Sequence, residues 1–179
     1  LVGFEYFRDK STAFDERQPL TQYYEQMKHS LLENDNYVDA LIDANDALFT
    51  VDLTHGQLEQ IFYQTTALRQ FDLQMTLPCS YDDYCAQRRH FVTPETLENY
   101  RIVDTASKLL ERFHSGFKHV TVEYREQTSC GEPVWLQKTV LMAQDTVFDA
   151  ASGREMPVIH GIILFRDTSI FHAQEQAEN

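Results

Sequence analysis

The chain has 179 residues, 42% of them hydrophobic, with only six Gly and five Pro, a composition that fits one globular domain plus extra helix and excludes a disordered linker. Its formal charge is −13, from 15 Lys and Arg against 28 Asp and Glu, and the single basic clump is Arg88-Arg89-His90. That excludes a nucleic-acid partner, because phosphate-backbone binding relies on clustered cations. Cys79, Cys85 and Cys130 are odd in number and irregular in spacing, against a disulfide framework or a four-ligand zinc site and in favour of a reducing, cytoplasmic compartment. The longest apolar run, Ile162 to Phe165, is far short of the roughly 20 residues of a spanning helix, so no direct membrane contact is expected of this stretch, whatever its parent protein carries.

In chain order, residues 19–45 read as a helix, with Leu20, Tyr24, Met27, Leu31, Val38 and Leu41 stepping by three and four around a polar Asn34. The narrow stripe either lies on its own domain or seams against a second copy with Asn34 setting the register, the basis for expecting a homodimer. From Ala47 the period becomes two: a strand over Leu48 to Leu53, a turn at His55-Gly56 and a strand over Gln57 to Tyr63 make a hairpin. Short helices are predicted over Thr65 to Phe71 and Tyr81 to His90, separated by Pro78.

A single long helix is predicted to start at Thr93-Pro94-Glu95 and to run through Leu97, Tyr100, Ile102, Leu109 and Leu110 to near Gly116. Three strands follow, Val120 to Gln127, Val134 to Asp145 and Met156 to Asp167, joined by turn residues at Cys130 to Pro133 and Ala150 to Arg154. The last strand is apolar on both sides, with His160 its one strongly polar side chain between Val158 and Phe165. Such a strand is covered on both faces, one by the short helices and the other by the N-terminal helix or a partner subunit. After Asp167 a departing helix carries Ile170, Phe171, Ala173 and Ala177, capped by Asp167 or Thr168.

This order of elements resembles that of PAS domains, and local motifs sharpen the likeness. Phe91-Val92-Thr93-Pro94-Glu95 is similar to the segment entering the long PAS helix; Tyr124-Arg125, Gly131 and Trp135 resemble the paired-strand signature; Phe165-Arg166-Asp167-Thr168 resembles the closing Arg-Asp-Ile-Thr, with Thr168 in place of Ile. The likeness spans about residues 36–170, and Ser80-Tyr81-Asp82-Asp83-Tyr84 also looks like sensor domains joined to bacterial diguanylate cyclases. It implies an α+β fold: a PAS-like five-stranded antiparallel sheet with helices on one face, plus an N-terminal helix. The implied organisation is a 19–45 linker helix, a sensor domain over 46–168 and the start of an output helix at 169–179, leading to a C-terminal output domain in the same chain. Gly3, Phe7-Arg8-Asp9 and Ser11 recur 158 positions later as Gly161, Phe165-Arg166-Asp167 and Ser169. Residues 1–18 are then either the tail of a preceding sensor domain or, over Leu1 to Asp9, an edge strand added to the 47–167 sheet.

No enzyme is expected in this stretch. There is no Gly-Gly-Asp-Glu-Phe cyclase motif, no phosphoacceptor two-helix hairpin with an ATP-binding region, and the six Gly are scattered, not gathered into a phosphate loop. The Asn-Cys-Arg-Phe type of motif that flavin photosensors of the family carry is missing around Cys79 and Cys85, which read as small buried or half-buried residues. No cofactor is predicted; a haem alternative would use His114, or His90 after it, although a His at a helix end has the plainer role of meeting the dipole. Asp82-Asp83 reads as a solvated helix start. What remains is an unidentified small molecule held between sheet and helices by Tyr81, Tyr84, Tyr100, Tyr124, Arg125 and His160, with Arg125 reaching inward to a carboxylate. Trp135 is assigned to packing under the N-terminal helix. The alternative is a ligand-free module of the same fold that pairs two chains.

Overall fold

The computed structural model describes residues 44–63, 75–128 and 131–178. The predicted 1–18 tail, the 65–71 helix and all but the last two residues of the 19–45 helix lie outside the described residues.

Strands β1 (Ala47–Asp52) and β2 (Gln57–Tyr63) form the predicted hairpin. Its turn holds because Gly56 adopts φ 64° and Asp52 accepts hydrogen bonds from the His55 backbone N–H at 3.0 Å and from the ring at 2.7 Å. A register shift between Thr50 and Val51 places Leu58 and Ile61 together in the main core, a swap of face that a strict two-residue period misses. Next come β3 (Cys79–Ser80) and α1 (Tyr81–Arg89), whose first turn is closed by the Asp83 N–H donating to Ser80 Oγ at 3.1 Å.

The predicted long helix is broken. A 3-10 turn (Pro94–Thr96) leads into α2 (Leu97–Arg101), and a separate α3 (Ala106–His114) follows. Residues between them turn inward, burying Val103 and Asp104. Helix α3 then restarts with its own caps: Thr105 is extended and accepts the Lys108 N–H at 3.3 Å, and the Asp82 carboxylate accepts the Ala106 N–H at 2.7 Å. Asp82 is thus a bridge between α1 and α3, more than the solvated helix start its sequence context implies. Helix α3 ends as predicted at Gly116, whose φ of 95° lets its own N–H and that of Phe117 bond back to Phe113 and Arg112, both at 3.0 Å.

Strands β4 (His119–Glu126), β5 (Val134–Asp149) and β6 (Arg154–Asp167) complete the sheet, and α4 (Ser169–Ala177) departs from it. Strand β5 runs four residues past its predicted end at Asp145 and β6 starts two residues before its predicted start at Met156, because Asp149 accepts from the Ala151 and Ser152 N–H groups and closes a tighter loop. The order is β3-β2-β1-β6-β5-β4, antiparallel throughout. Six strands stand where five were expected. The extra one is β3, which pairs Ser80 with Gln57 and Cys79 with Leu58; two residues between Pro78 and a helix cap are too short to show a period.

The helices cover one face. There Phe49, Val51, Leu58, Val122, Leu136, Val140 and Ile163 meet Tyr84, Cys85, Val103, Leu109 and Phe113 in the main core. On the opposite face Leu48, Leu141, Ala143 and Ile162 form a second buried cluster, in line with the two-sided reading of the last strand.

Candidate functional site

Strand alternation drives polar groups into the main core. In β5 the inward set is Leu136, Lys138, Val140 and Met142, and in β4 it is Val120, Val122, Tyr124 and Glu126. Helix α1 adds Tyr81, Tyr84, Cys85 and Arg88, spaced by three, four and seven so that all fall on one helical face. Tyr100 comes from α2.

Lys138, 1% exposed, is the centre of this group. Its Nζ donates to Tyr81 Oη at 2.9 Å, with Val103 O at 3.5 Å and Cys85 Sγ at 3.9 Å as weaker acceptors. Tyr81 in turn donates to Val103 O at 2.6 Å, and Tyr100 donates to Cys85 O at 3.0 Å. The rings of Tyr81, Tyr100 and Phe165 stand 5.2, 5.5 and 5.7 Å from the amine. Tyr100 and Tyr124 meet edge to face at 4.9 Å.

Three ion pairs, built on two carboxylates, border the lysine. Arg88 donates to Glu126 Oε2 at 2.5 Å, both side chains being buried, while Glu126 Oε1 has no hydrogen-bond partner among the described residues. Asp104, 1% exposed, accepts from Arg89 at 2.5 Å and from Lys108 at 2.6 Å. Burial decides the protonation of the interior groups: it pulls the Lys138 amine below its ordinary value and pushes the Tyr81, Tyr100 and Tyr124 phenols well above theirs. It also raises the Glu126 carboxyl, against the opposing pull of Arg88. The result is a buried cluster in which adding a charge at one group changes the cost of charge at the others.

Of the six predicted ligand residues, Tyr81, Tyr84, Tyr100 and Tyr124 converge on this core. Arg125 and His160 do not. Each has the alternate parity of its strand and faces the opposite side of the sheet, between Tyr124 and Glu126 in β4 and between Ile159 and Gly161 in β6. Arg125 packs its guanidinium 5.4 Å from the Trp135 ring there, so the inward carboxylate clamp assigned to it is corrected. His114 and His90 are exposed at helix ends, outside the tyrosine core, which does not fit either as an axial ligand to a haem enclosed there. Among the described residues no group of three or more His, Cys, Asp or Glu is placed to hold a metal ion. Sequence reasoning missed Lys138, Glu126 and Arg88. The available signal was strand parity for Lys138 and Glu126, and for Arg88 its helical spacing from Tyr81, Tyr84 and Cys85.

A second feature lies three residues from Lys138 on the same strand. The backbone of Trp135 accepts from the Thr168 N–H and donates to Ser169 Oγ, both at 2.9 Å, at the start of α4. The indole stacks on the His172 ring at 4.0 Å and 17°, and His172 lies 3.4 Å from Glu123. Trp135 therefore seats the C-terminal helix, while the N-terminal helix it was expected to pack under lies outside the described residues. Asp167 supplies one of the two predicted alternatives for the cap, accepting from the Ser169 N–H at 2.9 Å, whereas Thr168 Oγ1 is buried without a hydrogen-bond partner among the described residues. Helix α4 buries none of its own residues, and Ile170 and Phe171 are 72% and 57% exposed.

No protein-family model matches the chain, and no curated protein does. Among solved structures, it is similar to the N-terminal domain of a diguanylate cyclase with PAS/PAC sensor from Marinobacter aquaeolei, at 20% identity and TM-score 0.43, over 70% of this chain and 97% of that one. It is similar to the Aureochrome1 LOV photoreceptor domain at 12% identity and TM-score 0.43, over 79% and 95% of the two chains. A sensory box histidine kinase/response regulator from Burkholderia thailandensis gives 16% identity and TM-score 0.42, over 78% and 90%. The solved structures to which this chain is similar thus include PAS and LOV domains, one of them from a diguanylate cyclase.

Proposed function

We propose that the chain is a sensory and dimerisation module of a cytosolic bacterial signal-transduction protein. It binds a small molecule between sheet and helices and passes the signal through α4 to a C-terminal output domain, a diguanylate cyclase in the leading reading, without catalysing a reaction itself. The observation that carries this is the position of Lys138: a buried, hydrogen-bonded amine on the same strand, three residues from the backbone that seats α4. A change of contacts at the amine has a short, rigid route to the departing helix. Such a module responds to a ligand only through differential affinity for its two arrangements, and a tenfold preference yields about 1.4 kcal/mol.

Native mass spectrometry of the purified protein tests the reading. A retained small molecule in the wild type, lost in Lys138→Met, is the expected result. A ligand-free spacer is the second reading, supported by the fully buried Tyr81, Tyr100 and Tyr124 that occupy the layer between sheet and helices. A bare wild-type mass, with no mass gained on incubation with cell extract metabolites, would favour it.

A further inference from the structure

We propose that the seat of α4 is a proton-operated latch: His172, clasped between the Trp135 indole and the Glu123 carboxylate, holds the helix on the sheet as an imidazolium and loosens it as a neutral ring. The use of this latch in signalling rests on the reading of α4 as the output helix; the latch itself stands on its own contacts.

Helix α4 has little else to keep it in place. It has nine residues and buries none of them, fewer than the roughly 12–15 at which an isolated helix is even marginal in water. Its backbone bonds to Trp135 secure only the start, through the Thr168 N–H and Ser169 Oγ, both at 2.9 Å. Further along, His172 reaches two strands at once. Its ring stacks on Trp135 of β5 at 4.0 Å and 17°, and its Nε2 lies 3.4 Å from Glu123 Oε2 of β4. Phe171 beside it is 57% exposed, with the Arg166 guanidinium 5.7 Å from its ring.

Histidine is the side chain that ordinarily changes charge between about pH 5 and 8. With the extra proton both ring nitrogens are donors, so Nε2 presents an N–H to Glu123 whichever tautomer the neutral ring held. That contact becomes charge-assisted, and a planar cation now lies on the indole, the most favourable of the aromatic faces for one. Neither gain survives once the helix has left the sheet, so acid favours the seated helix and a rise in pH releases it.

The surrounding charges agree with that sign. Among the described residues, the charged neighbours on this face of the sheet are Glu123 and Arg125 of β4 and Arg166 of β6, while β5 presents the uncharged Trp135 and Gln137. Asp167 at the cap and Glu175 on α4 itself complete the set. Three carboxylates stand against two arginines, and Glu123 is the group at ion-pair distance, whereas Arg125 engages the indole 5.4 Å from its centroid.

Hydrogen–deuterium exchange of the full chain at about pH 6 and about pH 8, corrected for intrinsic rates, tests the latch, with NMR of the imidazole following its proton. The α4 amides are expected to be at least roughly twofold better protected at the lower pH, the scale of a part-exposed ion pair, and to change in step with the His172 ring signal. In His172→Gln the difference disappears, and in Glu123→Gln it shrinks, while the sheet amides keep their protection in both. Protection of α4 that stays constant while the ring titrates overturns the proposal, as does a pH dependence that survives His172→Gln. No ligand enters this measurement. Its failure therefore leaves the small-molecule reading intact, and a bare mass in native mass spectrometry leaves the latch intact.

Discussion

Lys138 costs the fold something that Met at the same place would not. A lone buried cation loses its hydration and recovers only part of it from neutral acceptors, so Lys138→Met is expected to raise the thermal midpoint. The pH dependence has a definite sign. With the folded-state pKa lowered from its ordinary 10.5, the unfolded chain binds the extra proton between the two values, so stability rises with pH across that window and levels off above it. Below the folded-state value the penalty is constant. Thermal unfolding between pH 7 and 10.5 should show this rise in the wild type and a flatter curve in the variant; a lower midpoint in Lys138→Met would make the amine a structural hydrogen-bond donor instead. Glu126 and Arg88 behave differently, because each is buried with its partner. Removing either one leaves an unpaired buried charge, at a cost of about 3–5 kcal/mol, while Arg88→Met with Glu126→Gln together should cost less than the sum, as denaturant titration of the double-mutant cycle would reveal.

At the scale of elements, the break between α2 and α3 is what delivers the Val103 carbonyl to the site. One continuous helix would have tied that carbonyl into its own hydrogen-bond ladder and left Tyr81 and Lys138 without it. Asp82→Ala removes a backbone bond at the restart and should cost about 1 kcal/mol, read by urea unfolding. Gly116→Ala forces a side chain into the left-handed region at the α3 terminus and should cost about 1–2 kcal/mol by the same measurement. The strands, the β1–β2 hairpin, α1 and the α3 terminus were legible because long periodic stretches and Gly turns leave local marks. The helix break was hidden, since Ile102 and Leu109 keep apolar spacing across it and the deciding contact, Asp82 to Ala106, joins residues 24 apart. The site was half legible for a related reason. Aromatic residues suited to a pocket stand out by type, and four of the six named converge; but Arg125 and His160 were chosen by chemistry without their strand parity, and the same parity would have pointed to Lys138 and Glu126.

For the whole molecule, the proposed dimer makes the departing helix part of an interface. Ile170 and Phe171 are open on α4, so the pair Ile170→Glu and Phe171→Glu is expected to move a light-scattering mass from twice 20.9 kDa toward 20.9 kDa at micromolar concentration. An unchanged mass would place the contact elsewhere, with the N-terminal seam as the next target. The seat of α4 has one more consequence. The chain contains a single tryptophan, and it is the residue under that helix, stacked on His172. Its emission therefore comes from one known place, shielded on one ring face by an imidazole that only α4 supplies. A helix that leaves the sheet takes the imidazole away and opens the indole to water, changing both intensity and wavelength. The molecule thus carries its own optical gauge of whether α4 is seated, readable in unlabelled protein.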